Sequence, residues 1–153
     1  MKDKELKFYM QTAEHAAEMS HAVRKKVGAC VITKNRGIYI GYNGRLAGQD
    51  NCCEYESPSF KSEFRKETEV TWKFVTRKDV AHAELNCLSK MLKEGVSAED
   101  ATLVLTLSPC ATCAVMIASA GIKEVIYKEE YRDTDGLKIL MEAGVSIRQY
   151  NQN

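Results

Sequence analysis

The chain lacks several things, and each lack excludes something. No apolar run approaches the ~20 residues that a bilayer-spanning helix needs, so a membrane role is not expected. There is no surplus of one charge: Lys plus Arg total 22 and Asp plus Glu 21, a formal net charge of +1. A protein that wraps a polyanion needs a strong basic excess, so nucleic acid is not the expected partner. A small anionic substrate needs only a few basic groups and stays open. The first residues, MKDKELKFYM, are polar and hold no signal-peptide apolar stretch, which predicts a cytoplasmic or similarly reducing location. Prolines are scarce, with only Pro58 and Pro109, and there is no repeat, low-complexity tract or Gly/Ser linker. One domain over residues 1–153 is therefore expected, long enough to bury a core without disulfides.

Six cysteines are present: Cys30, Cys52, Cys53, Cys87, Cys110 and Cys113. In a reducing compartment they read as thiols or metal ligands. Only the last two have metal-ligand spacing.

Residues 3–22 read as a helix with Leu6, Met10, Ala13, Ala16 and Ala17 on one stripe. Residues 27–33 and 38–42 read as a strand hairpin around the turn KNRG. Residues 41–51 read as a loop, and 55–80 as a variable insert or lid without clear period. A helix is predicted over 83–94 with Leu85, Leu88 and Leu92 inward and Gly95 after its end. Thr102 to Leu107 reads as a strand buried on both faces. Helix 109–120, strand 124–127, helix 134–143 and strand 145–149 follow, stopped by Gly121 and Gly144. This pattern predicts a mixed sheet, an antiparallel hairpin then parallel strands, with helices on both faces.

The chemistry lies in two short segments, each where a helix begins. One is His82-Ala83-Glu84; the other is Pro109-Cys110-Ala111-Thr112-Cys113. Cysteines three apart share one helix face. Ser108 suits the N-cap and Pro109 the first turn, which places both cysteines at the positive helix end, where thiolates are favoured. Within a regular helix, His82 and Glu84 would point about 200° apart. They share a pocket only if His82 is not yet helical. His82, Cys110 and Cys113 suit tetrahedral Zn²⁺ with a fourth position open, as a catalytic site keeps it. Glu84 is then free to move protons. A C-x-x-C alone could instead be a redox pair, and Cys87 could close the site as a structural fourth ligand. The pairing of H-x-E with P-C-x-x-C favours the catalytic reading, being the zinc-deaminase signature. Cys52 and Cys53 have only His15 and His21 as companions, so one zinc per chain is expected.

On these segments, with Val27-Gly28-Ala29, Gly41-Tyr42-Asn43-Gly44, His82-Ala83-Glu84-Leu85-Asn86, and Leu107 to Ala114, the chain resembles the cytidine deaminase-like superfamily. Within it the chain resembles the deoxycytidylate (dCMP) deaminases, phage forms included. Relatives often carry a proline where Leu46 stands here. The resemblance implies a three-layer α/β/α fold on a five-stranded mixed sheet, often built into a homohexamer. It implies hydrolysis of dCMP to dUMP and ammonia, supplying thymidylate synthesis. It also implies dCTP as activator and dTTP as inhibitor, with Mg²⁺ on the regulatory nucleotide.

For the substrate, Asn43 is the candidate partner of the sugar, Ala83 and Ser108 of the pyrimidine edge, and Tyr131 of the nucleotide at the sheet rim. A monophosphate needs cations, and Arg24, Lys26, Arg45 and Arg132 are the candidates. Gly44, Arg45, Lys90 and Lys93 are candidates for a regulatory nucleotide. The competing readings are a tRNA or single-stranded DNA editing deaminase, a deaminase of another free nucleoside or nucleotide, and a non-catalytic zinc protein.

Overall fold

In the computed structural model, which describes residues 1–60 and 70–151, α1 (Asp3–Glu18) buries the stripe expected of it: Leu6, Met10, Ala13, Ala16 and Ala17. The helix stops at Glu18 rather than running to residue 22. Ser20 is the reason. Its hydroxyl donates to the Asn43 carbonyl at 2.7 Å and accepts the Ala22 N–H at 3.2 Å. Such local bonds compete with helix continuation.

The hairpin follows as β1 (Gly28–Ile32) and β2 (Ile38–Tyr42), antiparallel, with Arg36 at positive φ in the turn. Further on come β7 (Thr102–Leu107), β8 (Glu124–Glu129) and β9 (Ser146–Gln149). The five form one sheet in the order β2-β1-β7-β8-β9. β1 is antiparallel to both its neighbours, whereas β7, β8 and β9 run parallel. The parallel strands are joined through α3 (Ala111–Ser119) and α4 (Asp135–Glu142).

Alternation along each strand sorts the core into two layers. Cys30, Ile32, Val104 and Ile126 face α1. Ala29, Val31, Leu103, Leu105, Val125 and Tyr127 face the other way, onto α2 (Ala83–Lys93), α3 and α4. Three layers result, as expected.

The α2 stripe is a correction. Leu85 and Leu92 are exposed, Leu92 at 80%. Ala83, Glu84, Cys87 and Met91 point inward instead. The helix is rotated so that the Glu84 carboxylate enters the site. Gly41 on β2 lets α2 come this close: a Cβ there would lie 2.4 Å from the Ala83 carbonyl oxygen and 2.7 Å from the Cys87 nitrogen.

Two segments read otherwise contain strands. In the expected loop of 41–51, β3 (Gly44–Arg45) pairs with β6 (Val80–Ala81); around the expected insert, β4 (Glu54–Phe60) pairs antiparallel with β5 (Val70–Thr76). The middle of the expected insert, residues 61–69, lies outside the described residues. Among the described residues no helix is long and apolar enough to cross a membrane.

Candidate active site

Two helix starts build the site in the same way. His82 is the N-cap of α2, extended at φ −71°, ψ 159°. Cys110 is the N-cap of α3, at φ −72°, ψ 168°. Each N-cap carbonyl accepts the first helical bond, from Asn86 N–H at 3.0 Å and Ala114 N–H at 2.9 Å. His82 is thus outside the regular helix, as its spacing to Glu84 requires. α3 begins later than Ser108 and Pro109 suggest. The Ser108 hydroxyl does not cap α3; it accepts the Tyr131 N–H at 2.8 Å. The ends of β7 and β8 are thereby tied together, and Tyr131 is set at the sheet rim. Gly136 in α4 lies hard against this corner, where a Cβ would come 2.0 Å from the Pro109 carbonyl oxygen.

His82 Nδ1 lies 3.3 Å from Cys113 Sγ and 3.6 Å from Cys110 Sγ. A tetrahedral zinc with these donors sets its S···N edges at about 3.6 Å, so the three residues fit the ion as they stand. The three donor atoms all fall within 4.8 Å of one another. Among the described residues this is the group of His, Cys, Asp and Glu side chains arranged to hold a metal. Cys87 is not part of it. Its thiol is buried against the carbonyls of Ala29 and Tyr39, and burial pushes its pKa up to about 12. The group therefore has three protein donors and one open position. The neighbouring Cys113 thiol and the His82 ring lower the pKa of Cys110, toward the thiolate that a metal needs, while the bond to Cys110 and burial raise that of Cys113.

Glu84, only 4% exposed, stands beside this group. Burial raises its pKa, opposed by backbone hydrogen bonding and by His82. A raised pKa suits a carboxyl that must both take and give a proton. These residues open into a pocket of about 210 Å³. Of the residues expected to meet the substrate, Asn43, Ala83, Ser108, Tyr131 and Arg24 line it.

Other candidates fall differently. Lys25, not Lys26, lines the pocket, because the chain bends at Val23 and Arg24. Arg132 lies over the Tyr131 ring, 5.8 Å from its centroid, rather than on the pocket wall. Arg45 is enclosed and tied to Asp50 at 2.9 Å and Asp79 at 2.8 Å. It lines a second cavity with Gly44, Asn86 and Lys90, where the Lys90 ammonium donates to the Ile40 carbonyl at 2.7 Å. Lys93 is exposed on α2 and lines neither cavity. Sequence reasoning missed Lys25, Val27, Glu54, Thr76 and Val80 on the pocket wall. Glu54 and Thr76 come from the hairpin whose sequence shows no motif.

Asn43 is more committed than a free sugar ligand. Its Oδ1 accepts the Val27 N–H at 2.8 Å and its Nδ2 donates to the Lys25 carbonyl at 2.9 Å. One lone pair and one N–H remain to face the pocket.

Comparison with known proteins agrees with this geometry. The family model described as the cytidine and deoxycytidylate deaminase zinc-binding region matches residues 3–129. A deoxycytidylate deaminase of Schizosaccharomyces pombe is 36% identical over 146 residues, 94% of this chain and 43% of that protein. One from Enterobacteria phage T4 is 34% identical over 165 residues, 90% of this chain and 86% of that protein. The chain spans 43% and 44% of the two yeast relatives. Among solved structures, a dCMP deaminase from the cyanophage S-TIM5 in complex with dCMP and dUMP superposes with a TM-score of 0.84. It is 39% identical, covering 98% of this chain and 99% of that one. The α/β fold is the one that this solved structure shares. On motif, fold and relatives together, the chain belongs to the cytidine and deoxycytidylate deaminase family.

Proposed function

We propose that the protein hydrolyses dCMP to dUMP and ammonia, with Zn²⁺ held by His82, Cys110 and Cys113 and Glu84 as the proton carrier. The observation that carries this reading is the three-donor group beside a buried carboxylate, in a pocket that Arg24 and Lys25 also line. The cyanophage relative, crystallised with dCMP and dUMP, supports the substrate.

When bound there, zinc makes water a nucleophile at neutral pH by lowering its pKa toward ~7. Glu84 accepts one proton of the water at its carboxylate and passes it to N3 of the ring as the C–O bond forms at C4. It then takes the second proton from the new C4 hydroxyl and gives it to the amino group. The C–N bond breaks, ammonia leaves, and C4 is left as a carbonyl. Burial of Glu84 keeps bulk water from intercepting these protons. The backbone at Ala83 and the Ser108 segment hold the pyrimidine edge. Asn43 offers its remaining N–H to the deoxyribose, and Tyr131 closes the rim. Arg24 and Lys25 meet the phosphate, with Arg132 acting through its stacking on Tyr131.

The proposal extends to assembly and control. We place a homo-oligomer, a hexamer, under it, and dCTP and dTTP as effectors at the cavity of Gly44, Arg45 and Lys90. Mg²⁺ enters only with such a nucleotide. Arg45 would have to exchange its two carboxylate partners for phosphate.

Ammonia release from dCMP by the zinc-loaded protein, with dCTP and Mg²⁺ present or absent, tests this. Turnover of dCMP is expected, with stimulation by dCTP. Absence of turnover in both conditions, with zinc confirmed bound, would overturn the substrate. Deoxycytidine, dCTP and tRNA would be assayed next.

A further inference from the structure

Between α1 and β1 the chain runs through residues 20–27 without helix or strand. It carries Arg24, Lys25 and Lys26, and the side chains from Val23 to Lys26 are exposed. Apolar burial fixes only its flanks: Ala22 lies in a small cluster with Cys53 and Val80, and Val27 packs against the main core. Yet Arg24 and Lys25 stand on the pocket wall. Polar groups must hold them there.

Asn43 holds the C-terminal half through Lys25 and Val27. Glu54 holds the other half. Its two carboxylate oxygens each accept the Val23 N–H at 3.1 Å, and one accepts the Arg24 N–H at 3.2 Å. Glu54 is only 5% exposed. A buried carboxylate is costly unless its oxygens are satisfied, and main-chain N–H groups satisfy these. Thr76 sits opposite Glu54 in the β4–β5 register and accepts from the Arg24 guanidinium at 3.1 Å. The base of the hairpin therefore grips Arg24 twice, by its main chain and by its side chain.

We infer that Glu54 is a positioning residue that sets Arg24 and Lys25 for the substrate's phosphate, and so makes the site select a nucleotide over its nucleoside. The inference rests on the proposed reaction for its substrate, but not for the grip itself. It also opposes a simpler expectation. Were Glu54 merely a negative charge near the phosphate, neutralising it would tighten binding.

Glu54→Gln separates the two. Glutamine is neutral, and its NH₂ turns a donor toward donors. Amide hydrogen exchange at Val23 and Arg24 should quicken. The KM for dCMP should rise about tenfold, far more than kcat falls, as loss of a uniform binding contact requires. The ratio of kcat/KM for dCMP to that for deoxycytidine should fall by a similar factor. Glu54→Asp, one methylene short but still an acceptor, should restore part of both effects, and it serves if the glutamine variant does not fold. Unchanged exchange at the two amides, a lowered KM for dCMP, or equal KM changes for dCMP and deoxycytidine would each overturn the inference. A wild-type protein inactive on both substrates would overturn the proposed reaction instead. Exchange at Val23 and Arg24 would then decide alone whether Glu54 holds the segment.

Discussion

Glu84 stands outside the metal-ligand group. Its carboxyl is buried, its pKa is raised by that burial, and the metal-ligand group is complete without it. Replacing it with glutamine keeps the volume and removes the titratable carboxyl. Glu84→Gln should bind zinc as the wild type does and lose kcat by about 10²–10⁴-fold, the usual share of a general acid–base group. Atomic absorption and ammonia release check the two halves. Normal turnover would remove Glu84 from proton transfer, and lost zinc would make it a ligand. Residues of this kind were readable from spacing, because metal chemistry restricts both donor type and separation. The basic residues were not. A phosphate accepts any nearby cation, so sequence offers Arg24, Lys26, Arg45 and Arg132 as equals. The bend at Val23, the carboxylates around Arg45 and the Tyr131 ring under Arg132 sort them, and all three are tertiary facts.

At the scale of elements, strands and helices with glycine stops were legible almost to the residue. Gly95, Gly121 and Gly144 all adopt positive φ after a helix end. Two features escaped. The leucine spacing of α2 places Leu85, Leu88 and Leu92 inward, yet only Leu88 packs against the core; Ala83, Glu84, Cys87 and Met91 form the buried stripe. Requiring Glu84 to face the metal group would have fixed that rotation from the sequence. The β4–β5 hairpin escaped although Val70, Trp72 and Phe74 alternate with polar residues, a period-2 strand signal; all three are exposed, so the hairpin adds no face to the core. The close contact of α2 with β2 gives a test at this scale. Gly41→Ala drives a Cβ into the Ala83 carbonyl and the Cys87 nitrogen. It should cost about 1–3 kcal/mol, the range for overpacking, in the urea unfolding of the zinc-free protein. Gly44→Ala meets only the Tyr42 ring, at 4.0 Å, and should stay within about 0.5 kcal/mol of wild type. Equal midpoints for the two variants would mean that α2 does not need this approach.

At the scale of the whole molecule, the metal group joins parts of the chain that are far apart in sequence. His82 opens α2, after β6; Cys110 and Cys113 open α3, after β7. A bound zinc would therefore clamp two helix starts onto one end of the sheet, and its binding free energy would add to that of folding. At a thousandfold excess over Kd, a ligand confined to the native state adds about 4 kcal/mol. A domain of this size gains roughly 2–4 °C in Tm per kcal/mol, so the zinc-loaded protein should melt about 8–16 °C above the chelated one. Chelation alone does not assign the ion to these residues, since a chelator strips any zinc. Cys110→Ser does. Removing one thiolate should bring Tm down near the chelated wild-type value, and chelator should then move it little further. Calorimetry of the four samples decides it. If Cys110→Ser keeps both its zinc and its response to chelator, the ion that stabilises the fold sits elsewhere. If all four melt together, the metal adds chemistry to a site that the two N-caps had already built without it.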